Sequence, residues 1–363
     1  MNIPDEVVLW CPMPPAIHPA WRDWERSAVD WMERFGLEGE QREAGRMYRI
    51  SAGELVGRIV PNCSYEPGAL FSAHNTIWLF AFDDAYCDEG RYSHDPGEMA
   101  LLVAELSRIV EIGETNSASP LPQGLADLRR RLDELAGPAA VARWVQSMKT
   151  YLGYQVWEAA HRSRRSIPSI DQYTAARIRS GAVEVGAMTL PISEGYDVPG
   201  DEMESPDIRA LTEMTCCLTG VDNDIASYYK EHSRSGDTLN LVDVIAHERG
   251  VSPREAVPEA LDFRDAVLNL YLQLSEKVRP GVGTATHRYL DGLSSWIRGN
   301  LDWSMHTGRY RRDGKSTITV TETPRRELPA NFAPPAGIAW WWSRLTHGQS
   351  AAPAPRVAPV PAP

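Results

Sequence analysis

Residues 99–110, MALLVAELSRIV, decide the fold class. Met99, Leu102, Val103, Leu106, Ile109 and Val110 recur at helical spacing and share one face, which alternation at every second residue would not produce. The same spacing returns in Phe263, Val267, Leu270 and Leu274. Period-two runs are nearly absent, and Thr317 to Thr323 is the one candidate strand. Turn-forming clusters break the chain near Ser117–Gln123, Gly137-Pro138, Pro168–Asp171, Gly195–Pro206 and Pro280–Gly283, leaving segments of ordinary helix length. The pattern predicts an all-α chain, a single helical bundle whose core is large enough to enclose an apolar cavity.

The ends read differently. Residues 1–20 are rich in proline and are expected to run extended over the surface. From about Arg311 the composition changes, so the expected organisation is a helical domain over residues 1–312 followed by a Pro- and Trp-rich tail over 313–363, partly disordered. Within the tail, Trp340-Trp341-Trp342 is either an anchor for a partner or interface, or a patch that packs back on the body.

With 49 acidic against 37 basic residues the formal charge is −12, which argues against non-specific nucleic-acid binding. It does not argue against an anionic substrate, because a bound divalent cation reverses the local sign. No apolar run approaches the roughly 20 residues that cross a bilayer. Asp5 and Glu6 stand where a basic leader would begin. The five cysteines, Cys11, Cys63, Cys87, Cys216 and Cys217, have no framework spacing. The expectation is a cytoplasmic protein with reduced thiols.

Two acidic clusters carry the chemistry. In the first, the apolar run Ile77 to Phe82 leads into Asp83-Asp84-Ala85-Tyr86-Cys87-Asp88-Glu89, with Gly90 expected to close the helix. Asp84 and Asp88 are four apart and share a helical face, while Asp83 sits one step round. Carboxylates crowded at the negative end of a helix repel one another unless a cation lies between them. The cluster is therefore either a metal site or a solvated acidic helix end. In the second, Asn223, Ser227 and Glu231 stack at successive four-residue steps and offer a carbonyl, a hydroxyl and a carboxylate, hard donors of the kind Mg2+ accepts alongside phosphate oxygens and water. Lys230 stands next to Glu231, within reach of a phosphate oxygen. A polar stripe on a surface helix would read the same way, but the preceding Cys216 to Val221 is apolar and reads as buried.

These motifs resemble those of the class I terpene synthases, specifically the bacterial terpene cyclases, in which an aspartate-rich motif on one helix faces an N-D-x-x-S-x-x-x-E motif on another. The resemblance spans roughly residues 7–312, including Cys11-Pro12-Met13-Pro14, His18-Pro19, Trp31 and Gly36-Leu37 near the start. It implies a class I terpenoid synthase bundle with Asp83, Asp84, Asp88, Asn223, Ser227 and Glu231 as metal ligands, three Mg2+ ions, an isoprenoid diphosphate substrate and, commonly, a homodimer. Tyr173 to Gly181 resembles the family's helix-break segment, with Arg177 as diphosphate sensor, Ser180 as linker and Gly181 as the carbonyl effector; Ser180 departs from the acidic linker frequent in the family, and Arg179 is an alternative sensor. Trp303 followed by Arg309-Tyr310 resembles the terminal Arg-Tyr pair, with Arg309, Tyr310, Arg177 and Lys230 on the diphosphate. Phe80 and Trp303 are expected to face a carbocation in the cavity; Thr76 and Ile77 are candidate wall residues, and Trp296 reads as core.

The implied reaction is Mg2+-dependent ionisation of farnesyl diphosphate and cyclisation to a sesquiterpene. Asp83 to Cys87 is also similar to the motif of the 2-methylisoborneol and 2-methylenebornane synthases, so 2-methylgeranyl diphosphate is the alternative substrate. A non-catalytic isoprenoid-diphosphate-binding protein is a third reading, and a helical scaffold with a partner-binding tail a fourth. On the cyclase reading, the tail beyond Arg312 is expected to be dispensable for activity.

Overall fold

The structure, a computed structural model, describes residues 3–38, 45–88, 92–234, 239–324 and 332–346. Its body is built from α1 (Trp21–Phe35), α2 (Ala52–Ile59), α3 (Glu66–Phe82), α4 (Pro96–Ile112), α5 (Pro120–Leu135), α6 (Pro138–Arg164), α7 (Ile170–Ser180), α8 (Val183–Glu194), the short α9 (Gly200–Met203), α10 (Pro206–Arg234), α11 (Leu241–Arg249), α12 (Pro253–Val278) and α13 (Thr284–His306). Each of the five expected breaks coincides with a helix boundary, and the one at Gly195–Pro206 also contains α9. The boundaries have local causes. Helices α4, α5, α6 and α12 open on prolines, whose missing N–H goes unused in a first turn. Ser169 and Ser252 start α7 and α12 with capping boxes closed by Gln172 and Glu255.

Helix α3 is apolar around its circumference and runs through the middle of the bundle against α1, α5 and α8. Its backbone meets α8 so closely that a Cβ on Gly68 would lie 2.1 Å from the Ile192 carbonyl oxygen. Beside this pair, α6, α7, α10 and α13 close a ring, and the cavity described below opens between them. No described helix is long and apolar enough to cross a membrane.

The termini are more integrated than the composition suggests. Residues Val7–Trp10 form strand β1, paired in parallel with strand β2 (Ile318–Thr321), Val7 opposite Ile318 and Trp10 opposite Thr321. The strand expected near Thr317 to Thr323 therefore exists. The expectation that residues 1–20 lie over the surface is corrected: Ile3, Val7, Leu9, Cys11 and Met13 are buried, an alternation that the proline content obscures. The buried Arg264 pins this segment by donating to the Trp10 carbonyl while pairing with Asp222 at 2.6 Å. In the tail, α14 (Trp340–Thr346) lies on α10 and α12. Trp341 is fully buried and donates to Glu213 Oε2 at 3.0 Å, so the Trp cluster packs back on the body.

Candidate active site

The cavity measures about 1150 Å3 including its open mouth, and its wall mixes charged, polar and apolar side chains. Helix α3 supplies Thr76, Leu79 and Phe80 and ends at Asp83. There the chain widens into a π-helical turn, Asp83–Asp88. Asp83 lines the cavity and Asp84 does not. Asp84, buried, accepts from Arg309 Nη1 at 2.8 Å, and Asp83 from Arg309 Nη2 at 3.0 Å. The Asp88 side chain, with Glu89 and Gly90, lies outside the described residues.

Helix α10 carries the opposite wall. Thr219, Asn223, Ser227 and Glu231, at successive four-residue steps, all line the cavity, with Gly220 and Lys230 beside them. Asn223 Oδ1 accepts from Arg177 Nη2 (2.8 Å), and its Nδ2 donates to the Tyr310 hydroxyl (2.7 Å). Ser227 Oγ donates to Glu231 Oε1 at 2.5 Å, and Asn240 Nδ2 donates to Glu231 Oε2 at 3.1 Å. The intervening acids are turned away. Asp222 pairs with Arg264; Asp224 pairs with Arg177 (2.8 Å) and accepts from the Tyr173 hydroxyl (2.7 Å) and the Leu241 amide (3.0 Å). Asn223 and Arg177 are thus aimed by a buried network behind them.

Arg177 and Ser180 end α7, and Gly181 and Ala182 separate it from α8; all four line the cavity. Ala182 holds φ +59°, a left-handed conformation that costs a non-glycine residue about 1–3 kcal/mol, and so marks the break as strained. Gln155 Nε2 donates to the Ser180 carbonyl at 3.2 Å. Arg179, the alternative sensor, is not on the cavity wall: it is tied to Glu184 (2.5 Å) and Glu213 (2.7 Å) behind the break. On α13, Trp296, Asn300 and Trp303 share a face, and Arg309 and Tyr310 follow the helix. Trp303 donates to the Ile50 carbonyl (2.7 Å), and its ring lies 5.5 Å from both Phe80 and Tyr310. The Arg309 guanidinium stands 5.0 Å above Phe80. Burial opposes the charges of Arg177 and Arg309, yet Asp224 beside the first and Asp84 beside the second raise both pKa values well above the ordinary guanidinium value. Both stay cationic at any physiological pH.

One cavity therefore gathers Phe80, Asp83, Arg177, Ser180, Gly181, Asn223, Ser227, Lys230, Glu231, Trp303, Arg309 and Tyr310. Thr76 lines it; Ile77 is buried elsewhere. Trp296, read as core, is part of the wall. Glu158 and Arg162 on α6, an ion pair at 2.9 Å, also line it. Their i, i+4 spacing resembles that of any solvated helix pair, so the sequence carries no signal for them. Leu55, Tyr151, Thr219 and Asn300 were missed for the same reason: each occupies an ordinary helical position.

No group of three or more His, Cys, Asp or Glu side chains able to hold a metal occurs among the described residues. The donors gathered here are instead a mixed set, an amide oxygen, a hydroxyl and two carboxylates, all hard oxygens around a space open to a ligand. That chemistry suits Mg2+ completed by phosphate and water oxygens.

Comparison with known proteins agrees with this geometry. Residues 74–268 match the model of terpene synthase family 2, C-terminal metal binding. A (+)-(1(10)E,4E,6S,7R)-germacradien-6-ol synthase of Streptomyces pratensis is 36% identical over 93% of this chain and 96% of its own. A (+)-T-muurolol synthase of Streptomyces clavuligerus, described as cyclizing (2E,6E)-farnesyl diphosphate, is 36% identical over 93% of this chain and 82% of its own. Among solved structures, the SVS_A2 protein from ancestral sequence reconstruction superposes with a TM-score of 0.80 at 33% identity, over 93% of this chain and 98% of its own.

Proposed function

This chain belongs to the terpene synthase family, and from that premise we propose that it ionises farnesyl diphosphate and closes the resulting carbocation to a cyclic sesquiterpene, releasing diphosphate. The observation that carries the reading is what one cavity brings together: the cations Arg177, Lys230 and Arg309 and the hard oxygen donors Asp83, Asn223, Ser227 and Glu231, with the rings of Phe80, Trp296 and Trp303 in the same wall. The similar (+)-T-muurolol synthase, which cyclizes (2E,6E)-farnesyl diphosphate, supports the chain length. The 2-methylgeranyl alternative, drawn from Asp83 to Cys87, finds no support among the relatives named above.

Asp83, Asn223, Ser227 and Glu231 would hold Mg2+, which when bound acts as a Lewis acid on the leaving diphosphate. Asp84 joins them only if its pair with Arg309 opens. Arg177, Lys230 and Arg309 bind diphosphate oxygens by charge-assisted hydrogen bonds, and Tyr310 adds a hydroxyl. These contacts stabilise the charge that gathers on the leaving oxygen as the allylic carbon–oxygen bond breaks. The faces of Phe80, Trp296 and Trp303 attract the cation left behind, by about 0.5–2 kcal/mol each, and keep solvent from it. Gly181, at the strained break, presents its backbone to the same space. The five cysteines are buried and form no disulfide among the described residues, which suits the reducing cytoplasm in which we place the enzyme.

The test is Mg2+-dependent diphosphate release from farnesyl diphosphate, with extracted products identified by gas chromatography–mass spectrometry. Release with a cyclic product is expected. Ligand binding without release would make the chain a binding protein.

A further inference from the structure

Two polar side chains in the cavity wall have no hydrogen-bond partner among the described residues: the Thr219 hydroxyl and the Asn300 side-chain nitrogen. Each residue is 5% exposed. Folded proteins rarely leave such groups unsatisfied. Thr219 has an obvious alternative. On the same helix, Thr212 and Thr215 donate to carbonyls four residues back, at 3.0 and 2.9 Å, and Ser227 does so at 2.6 Å. Thr219 leaves that local bond unmade.

Their position is informative. Helix α10 and the α13 segment touch at Thr212–Tyr289 (2.9 Å) and again at Asn223–Tyr310 (2.7 Å). Thr219 and Asn300 both fall between these points. Thr219 is one helical turn before Asn223, on the side away from Glu231, and Asn300 is one turn from both Trp296 and Trp303. Thr219 thus extends the Asn223–Glu231 stripe by one turn, and Asn300 stands between Trp296 and Trp303 in the wall of the same cavity.

We propose that Thr219 and Asn300 together hold one water molecule against this aromatic wall, and that this water ends the cyclisation, making a terpene alcohol a principal product. The proposal rests on the cyclase reading above. A buried water needs two to four polar partners. With Asn300 Nδ2 donating to it and Thr219 Oγ1 accepting from it, one lone pair remains for carbon. That pair forms the new carbon–oxygen bond, and the proton lost from the water passes to the departed diphosphate. An allylic diphosphate and one water become an alcohol and protonated diphosphate.

The experiment incubates the full chain with farnesyl diphosphate and Mg2+ in 18O-labelled water, reading labelled alcohol, hydrocarbon and released diphosphate together. Wild type is expected to form an alcohol carrying the heavy oxygen. Thr219→Val and Asn300→Leu are each expected to lower the alcohol share of total product about tenfold, the loss of one well-made hydrogen bond, and Thr219→Ser to restore it. A crystal structure of the wild type should show a water within hydrogen-bond distance of both atoms, a readout that does not depend on the variants folding. Diphosphate release with hydrocarbon alone, an alcohol share unmoved in both variants, or no water at that position overturns the proposal. No diphosphate release from wild type overturns instead the reading on which it rests.

Discussion

Replacing Gly186 by alanine tests what shapes the cavity. A Cβ at this position would lie 1.8 Å from Trp296 Cη2 and 2.6 and 2.7 Å from its Cζ2 and Cζ3. Ordinary contact begins near 3.4 Å, so the indole has to withdraw by about 1.6 Å. The ring is pressed on the α8 backbone, and the space it can enter is the cavity that it lines. Overpacking of this kind costs about 1–3 kcal/mol, and in a chain of this size that amounts to a fall of about 1–4 °C in Tm. The larger consequence is chemical: a displaced ring narrows the space in which the substrate folds. Gly186→Ala is therefore expected to redistribute products while diphosphate is still released. Adding Trp296→Phe, a smaller ring, should recover stability, with a coupling of about 0.5–3 kcal/mol between the two sites. Calorimetry and product analysis on the two single variants and the double variant read both effects. A Gly186→Ala enzyme with the wild-type Tm and product profile would refute the claim that this glycine seats Trp296.

Other outcomes follow from the same geometry. Asn223→Ala with Ser227→Ala removes two hard donors and one acceptor of Arg177 but leaves the pairs of Asp224 with Arg177 and Tyr173 in place, so turnover should vanish while circular dichroism and Tm stay near wild type; unchanged turnover would end the ligand assignment. Truncation after Arg312, expected on the cyclase reading to leave activity intact, removes β2 and the fully buried Trp341, and losing a buried tryptophan alone costs about 3–5 kcal/mol. A much lower urea midpoint is now expected, and a midpoint equal to that of the full chain would contradict the packing of the tail. His74 supplies a pH signature. Burial, with Arg131 beside it, lowers its pKa from 6.5 to about 3. The unfolded chain therefore binds a proton between these values that the folded chain refuses, so stability is present above about pH 6.5 and falls as pH drops toward 3, by up to about 1.4 kcal/mol per pH unit. His74→Gln should flatten that slope relative to wild type in urea titrations, and parallel slopes would rule the histidine out.

The helices were legible because their apolar faces repeat at helical spacing and their ends carry proline, serine and glycine signals that act locally. The α10 stripe was legible for the same reason: four-residue steps survive in a regular helix, so Asn223, Ser227 and Glu231 meet as the spacing requires. Asp84 shows the limit. Its carboxylate is taken up by Arg309, which follows α13 far along the chain, and no local spacing encodes that pair. The N-terminal strand was missed because its partner, β2, lies at the other end of the chain, and no local pattern encodes a pairing that distant. Trp296 and Asn300 were hidden for a related reason: which face of a buried helix meets a cavity depends on the helices around it. Arg177 was preferred to Arg179 only through resemblance to the helix-break segment, and the structure adds that Glu184 and Glu213 hold Arg179 off the cavity wall.

The central claim is that one cavity ionises and cyclises a farnesyl chain. Parallel incubation of the purified full chain and Mg2+ with geranyl, 2-methylgeranyl, farnesyl and geranylgeranyl diphosphates, read by gas chromatography–mass spectrometry with diphosphate release, tests it most directly. The account predicts a cyclic sesquiterpene product from farnesyl diphosphate, lost when Mg2+ is chelated. Cyclic product from another of the four and none from farnesyl diphosphate would contradict it.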